Sequence, residues 1–119
     1  MKLQMYKVAW LPGADSKGGL EMKEISTKEA ADLLERESNI SIIDVREEEE
    51  VAAGKIPEAV HIPLGELPER ITEFNKDNEY IMVCRSGARS SNATLFLDSL
   101  GYKATNMAGG MLQWQGEVN

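Results

Sequence analysis

The sequence predicts an α/β fold, a parallel central sheet of about five short strands with helices on both faces. Three observations lead there. Short apolar runs such as Ile40 to Val45 and Tyr80 to Val83 alternate with segments whose apolar residues fall at helical spacing. Glycine and proline punctuate the joints, at Gly54, Pro57, Pro63, Gly101 and Gly109-Gly110. Strands separated by helices pair in parallel through right-handed crossovers.

The elements follow in order. Residues 1 to 21 read as an N-terminal extension, a leader or an expression remnant, with Met22 a natural start and 22 to 119 the domain proper. Within the extension, Met5 to Leu11 is able to pair as an edge strand, and Gly13 to Gly19 reads as a connector. Met22 to Ile25 is a short strand. Ser26 and Glu29 fit a capping box, and Ala30, Leu33 and Leu34 give the next helix one apolar face. Ile40 to Val45 is a buried strand ending near Asp44.

Glu47 to Ala53 is a brief helix stopped by Gly54. Its glutamates occupy the first turn, where the helix dipole favours negative charge, and read as a solvated face rather than a metal site. Ala59 to Ile62 is a strand between prolines. Leu67 to Phe74 is a helix with Pro68 in its first turn. Tyr80 to Val83 is a buried strand, Ser91 to Leu100 a helix, Tyr102 to Asn106 a strand, and a last short helix carries Met111, Leu112 and Trp114.

Composition narrows the partners. A chain of 119 residues, 42% hydrophobic and 28% charged, makes one globular domain. The formal charge of −7 argues against nucleic acid and anionic membrane. One cysteine excludes an internal disulfide framework and a cysteine-rich metal site, and fits a reducing, cytoplasmic setting. No apolar run approaches the ~18 residues of a membrane span, and no metal or cofactor is called for.

That single cysteine opens the stretch Cys84-Arg85-Ser86-Gly87-Ala88-Arg89-Ser90. It stands at the carboxyl end of a strand and just ahead of a helix, where ligands bind in open α/β sheets. Converging amides and the helix dipole favour an anion there, and Gly87 permits a turn that a side chain would resist. Arg85 and Arg89 add cationic charge. These influences lower a thiol pKa, so Cys84 reads as a nucleophile and not as a buried hydrophobe.

Three segments together resemble the rhodanese-like sulfurtransferases. They are Asp44-Val45-Arg46 with Gly54-Lys55-Ile56-Pro57-Glu58-Ala59-Val60-His61-Ile62-Pro63, the Cys84 to Ser90 loop, and Gly109-Gly110 ahead of Trp114. The resemblance spans roughly Lys23 to Trp114 and implies a rhodanese-like fold. It departs from the family pattern at Lys55, Glu58 and His61, where His, Gly and often Asn are usual. Those departures bear on donor or partner preference.

The resemblance implies that Cys84 takes a sulfane sulfur as a persulfide and passes it to cyanide or a thiol by a ping-pong route. The amides of Arg85 to Ser90 would cradle the outer sulfur. Arg85 and Arg89 would steer an anionic donor such as thiosulfate. Asp44 would order the loop through an arginine, whereas Arg46 reads as a structural ion-pair partner. Trp114 reads as packing under the loop, Gly109-Gly110 as a tight turn, and His61 as a surface or packing residue rather than a base.

Rival chemistries remain open. Cysteine phosphatases and arsenate reductases also set a thiolate in an anion-binding loop, but with five residues between cysteine and arginine. Four separate Cys84 from Arg89, and one residue is worth up to ~3.5 Å of chain. The shorter ring suits a sulfur atom better than a phosphate. The non-enzymatic alternative is a sulfur-carrier or regulatory module loaded by a sulfur-donating protein.

Overall fold

The computed structural model describes residues 7–11, 20–36 and 39–119. Five strands run parallel in the order β2 (Leu20–Ile25), β6 (Lys103–Met107), β5 (Glu79–Val83), β3 (Ile40–Asp44), β4 (Val60–His61). A sixth, β1 (Lys7–Leu11), pairs antiparallel with β2 at the outer edge, with Lys7 opposite Glu24 and Leu11 opposite Leu20. The edge pairing expected of Met5 to Leu11 is thus present from Lys7. Met5, Tyr6 and the Gly13 to Gly19 connector lie outside the described residues.

Alternation along the buried strands divides the core in two. On one face α1 (Thr27–Arg36) sets Ala30 and Leu33 against Ile25, Ile42, Ile81, Val83 and Met107. On the other, α3 (Ala88–Ser99) packs Ala93 and Leu97 over Ile43, Tyr80, Met82 and Ala104. Helices therefore cover both faces. Ile81 and Leu97 have no exposed surface, and each such side chain is worth about 2 kcal/mol of burial. Neighbours in β5 alternate between the two cores, which places the Cys84 sulfur on the α3 side.

Capping follows the sequence at α1. The Ser26 backbone N–H donates to Glu29 Oε1 at 2.8 Å, and the Glu29 N–H donates to Ser26 Oγ at 3.1 Å. Other boundaries moved. The first parallel strand begins at Leu20 rather than Met22, α2 spans Glu48–Ala52, and β4 keeps only Val60–His61 of the predicted strand. The expected helix from Leu67 to Phe74 is instead a pair of 3₁₀ segments, Leu64–Glu66 and Pro68–Glu73, with Arg70 off helical angles. Pro68 has no N–H to continue a ladder from Leu64, so tighter turns replace an α-helix.

Candidate active site

Cys84 directly follows β5 at the centre of the sheet, where β5 lies between β6 and β3. The next three residues turn the chain, and α3 starts at Ala88, three residues sooner than its apolar pattern indicated. Gly87 is the N-cap, with φ of +108°. A side chain would be strained at that angle. No side chain caps α3, which leaves its first amides available to a ligand.

The sulfur is 1% exposed as a residue and well supplied with donors. The Gly87 N–H donates to Cys84 Sγ at 3.0 Å, and Ser90 Oγ lies 3.3 Å away. Burial pushes the thiol pKa up, but the Ser90 hydroxyl and the N–H groups of Ser90, Gly87 and Ser86 outweigh it. The thiol ionises below its ordinary value. Arg85 and Ser86 are exposed at the rim, Gly87 and Ser90 are buried, and Ala88 faces out.

A second glycine turn braces this loop from below. Gly110, at φ +57°, opens α4 (Gly110–Gln113). The N–H groups of Met111 and Leu112 donate to the carbonyls of Cys84 and Arg85 at 2.9 and 3.0 Å. A Cβ on Gly110 would lie 2.5 Å from both carbonyl oxygens. Gly109-Gly110 therefore does more than turn the chain, because it lets a helix start against the backbone of the loop.

The two loop arginines differ. Arg85 is exposed and makes no ion pair among the described residues. Arg89 is half-buried and clamped by Glu50, with Nη1 to Oε1 at 2.7 Å and Nη2 to Oε2 at 2.8 Å. The Arg89 hydrogen bonds hold the Glu50 carboxyl down to about 2. From the sequence both arginines read as available cations and the glutamate run as a solvated face. Glu47 to Glu49 are exposed as expected, but Glu50 is turned in and neutralises Arg89.

Asp44 meets an arginine, and that arginine is Arg46. Its carboxylate is fully buried and accepts from Arg46, with Nη2 to Oδ2 at 2.8 Å, Nε to Oδ1 at 3.0 Å and the backbone N–H at 3.1 Å. Arg46 also donates to Gly54 O at 2.8 Å, pinning the end of α2. This is the structural ion pair expected of Arg46. It borders the site through Val45, whose N–H donates to Val83 O at 2.8 Å.

The departures from the family pattern end on backbone. Lys55 Nζ donates to the carbonyls of Ile56, Pro57 and Ala59 at 3.2, 3.2 and 3.0 Å. His61 Nε2 stands 2.7 Å from Arg46 O. Glu58 is exposed. Trp114 packs, partly buried, on the α1-side core and donates its indole N–H to Glu117 O at 3.0 Å.

Two residues behind the sulfur escaped the sequence reading. Asn106 is 1% exposed, with Oδ1 at 2.6 Å from Ser90 Oγ and Nδ2 at 3.0 Å from Glu24 Oε2. Glu24 and Asn106 are cross-strand partners of β2 and β6. The one available signal was an asparagine near the carboxyl end of a buried strand, where a polar side chain needs partners.

Among the described residues no group of three or more His, Cys, Asp or Glu is placed to hold a metal ion, and no helix is long and apolar enough to cross a membrane. The arrangement suits a thiolate and an anion docked on it.

Known proteins resemble this chain over most of its length. A Bacillus subtilis protein named "Putative sulfurtransferase YtwF" is 49% identical over 99 residues, covering 83% of this chain and 96% of its own length. A sulfurtransferase of Allochromatium vinosum is 34% identical over 94 residues, covering 78% of this chain and 88% of its own length. The crystal structure of a rhodanese-like domain protein from Staphylococcus aureus superposes with a TM-score of 0.78 at 38% identity, over 82% of this chain and 97% of that one. The family model described as "Rhodanese-like domain" matches residues 26–117, and the chain belongs to the rhodanese-like domain family.

Proposed function

We propose that the protein transfers a sulfane sulfur from a small anionic donor such as thiosulfate, through a Cys84 persulfide, to a thiol or cyanide. The observation that carries this reading is a single buried sulfur, its pKa lowered, ringed by loop amides and the Ser90 hydroxyl. Sulfurtransferase relatives support the general activity.

The steps balance without a cofactor. The Cys84 thiolate attacks the outer sulfur of thiosulfate, the donor S–S bond breaks, and sulfite leaves with the electron pair. A persulfide remains, its negative charge on the outer sulfur. The loop amides from Arg85 to Ser90, together with the dipole of α3, stabilise that charge. Cyanide or a thiolate then attacks the outer sulfur and restores the Cys84 thiolate. Arg85, without an ion pair among the described residues, draws the anionic donor, while Arg89 shapes the mouth under the hold of Glu50. Asp44 and Arg46 support the adjoining strand end.

The site lies within the 26–117 stretch matched by the family model. A reducing compartment, the cytoplasm, keeps such a thiol active. A sulfur-donating protein is an alternative source of the same sulfur. The test is steady-state thiocyanate formation from thiosulfate and cyanide, with Cys84→Ser as control. Cysteine-dependent turnover with parallel double-reciprocal lines is expected. Turnover that survives in Cys84→Ser, or none in either protein, contradicts the reading.

A further inference from the structure

The Ser90 hydroxyl faces two acceptors and has one hydrogen to give. Its Oγ lies 2.6 Å from Asn106 Oδ1 and 3.3 Å from Cys84 Sγ. The orientation of the Asn106 amide decides between them. Its Nδ2 stands 3.0 Å from Glu24 Oε2 and 3.3 Å from Ser91 Oγ. Turned over, the amide would set its oxygen against a carboxylate, acceptor on acceptor. It would also face Ser91, whose hydrogen already goes to Gly87 O at 2.6 Å. Oδ1 therefore faces Ser90, and of those two oxygens only the hydroxyl can donate. In that arrangement Ser90 turns a lone pair toward the sulfur, which suits S–H and opposes a thiolate.

We propose that Asn106, fixed by Glu24, is a positioning residue that takes and releases the Ser90 hydroxyl hydrogen as charge moves on and off Cys84 Sγ. With a thiol, the hydroxyl donates to Asn106 and accepts from S–H. When the thiolate forms, the hydroxyl rotates, donates to Sγ, and leaves Asn106 Oδ1 without its bond. Once an outer sulfur is attached, the charge lies on that sulfur among the loop amides, and the hydroxyl returns to Asn106. No proton changes owner, since only the direction of one O–H bond changes. The last step rests on the sulfur-transfer reading, whereas the thiol and thiolate steps do not.

The surroundings favour such a two-position hydroxyl. Ser90 is 0% exposed, so bulk water does not compete for it. Its backbone is held by Thr94, whose hydroxyl donates to Ser90 O at 2.8 Å. The charged groups around the sulfur are Arg85 on the loop, Arg89 on α3 with Glu50 from α2, Glu24 on β2 behind Asn106, and the self-paired Asp44 and Arg46 from the end of β3.

The test is the pH dependence of Cys84 alkylation by iodoacetamide, followed by intact mass, in the wild type, Asn106→Leu, Ser90→Ala and the double variant. Asn106→Leu frees the hydroxyl for the thiolate, so the midpoint is expected to fall by about half a unit to one unit, a ~3- to 10-fold gain in thiolate below the midpoint. In the Ser90→Ala background the same substitution is expected to shift nothing. An unchanged or raised midpoint in Asn106→Leu, or an equal shift without Ser90, overturns the proposal. If leucine at this buried position prevents folding, Asn106→Ala carries both expectations. Failure of the wild type to acquire sulfur from thiosulfate would defeat the functional reading alone, because alkylation needs no sulfur donor.

Discussion

Arg89 and Glu50, 39 residues apart in sequence, meet at the mouth of the site through two hydrogen bonds of 2.7 and 2.8 Å. The pair ties α2 to the first turn of α3. It also cancels one of the two positive charges beside Cys84. Glu50→Gln keeps one acceptor for the guanidinium but removes the opposing charge. Charges about 4 Å apart interact by ~1 kcal/mol in water, so KM for thiosulfate should fall roughly fivefold at low salt. The gain should vanish at about 1 M salt. Arg85→Ala should act oppositely, raising KM roughly fivefold with Cys84 still alkylated. Initial rates across a salt series check both, and a Glu50→Gln KM unchanged at low salt would remove the charge argument.

Gly110 cannot accept a side chain, because its Cβ would meet the Cys84 and Arg85 carbonyl oxygens at 2.5 Å and its φ is +57°. Gly110→Ala should cost about 3 kcal/mol, seen as a Tm fall of roughly 10 °C, and slow sulfur loading in the protein that stays folded. Gly65→Ala is the control, since nothing lies within 4 Å of its Cβ position. Thermal melts of the two variants make the comparison, with Gly65→Ala expected near the wild type.

Asp44 and Arg46 form a buried pair, with side chains 0% and 7% exposed. Removing one member strands the other. Asp44→Asn should therefore lower unfolding stability by about 3–5 kcal/mol. Because Asp44 and Arg46 direct their hydrogen bonds at each other and at the Gly54 and Glu50 carbonyls, the alkylation midpoint of Cys84 should stay within a few tenths of a unit. Urea unfolding and the alkylation profile together separate a structural role from a chemical one.

The Cys84 thiol pKa is lowered in the folded state, as burial is outweighed by hydrogen bonds from Ser90, Gly87 and Ser86. A group depressed in this way adds stability that is complete above its unfolded pKa and disappears as the pH falls through the folded one. The Tm of the wild type, relative to Cys84→Ser, should thus rise as the pH climbs towards the ordinary thiol range near about 8.5. A difference that stays flat or shrinks over that range would contradict the shift.

The fold was legible because its signals are local and repeated. Apolar runs such as Tyr80 to Val83 are strand-length, and Ser26 with Glu29 forms the predicted cap. Cys84, Gly87 and Ser90 could be located because one short loop holds the nucleophile and its donors. Glu50, Glu24 and Asn106 could not, since each gains its meaning from a partner brought close only by the sheet. For Glu50 the local pattern pointed elsewhere, because a glutamate in a helix first turn already has a sufficient reason to be there. At Pro68 the opposite holds: a proline is tolerated in a helix's first turn, so the local pattern allowed a helix that the missing N–H broke into 3₁₀ turns.

The central claim is that Cys84 carries sulfur as a persulfide. Intact mass after incubation with thiosulfate and removal of excess donor tests it most directly. The account predicts a gain of one sulfur atom in the wild type, none in Cys84→Ser, and return to the starting mass on adding cyanide. A wild-type mass that does not change, or a sulfur gained equally by Cys84→Ser, would contradict it.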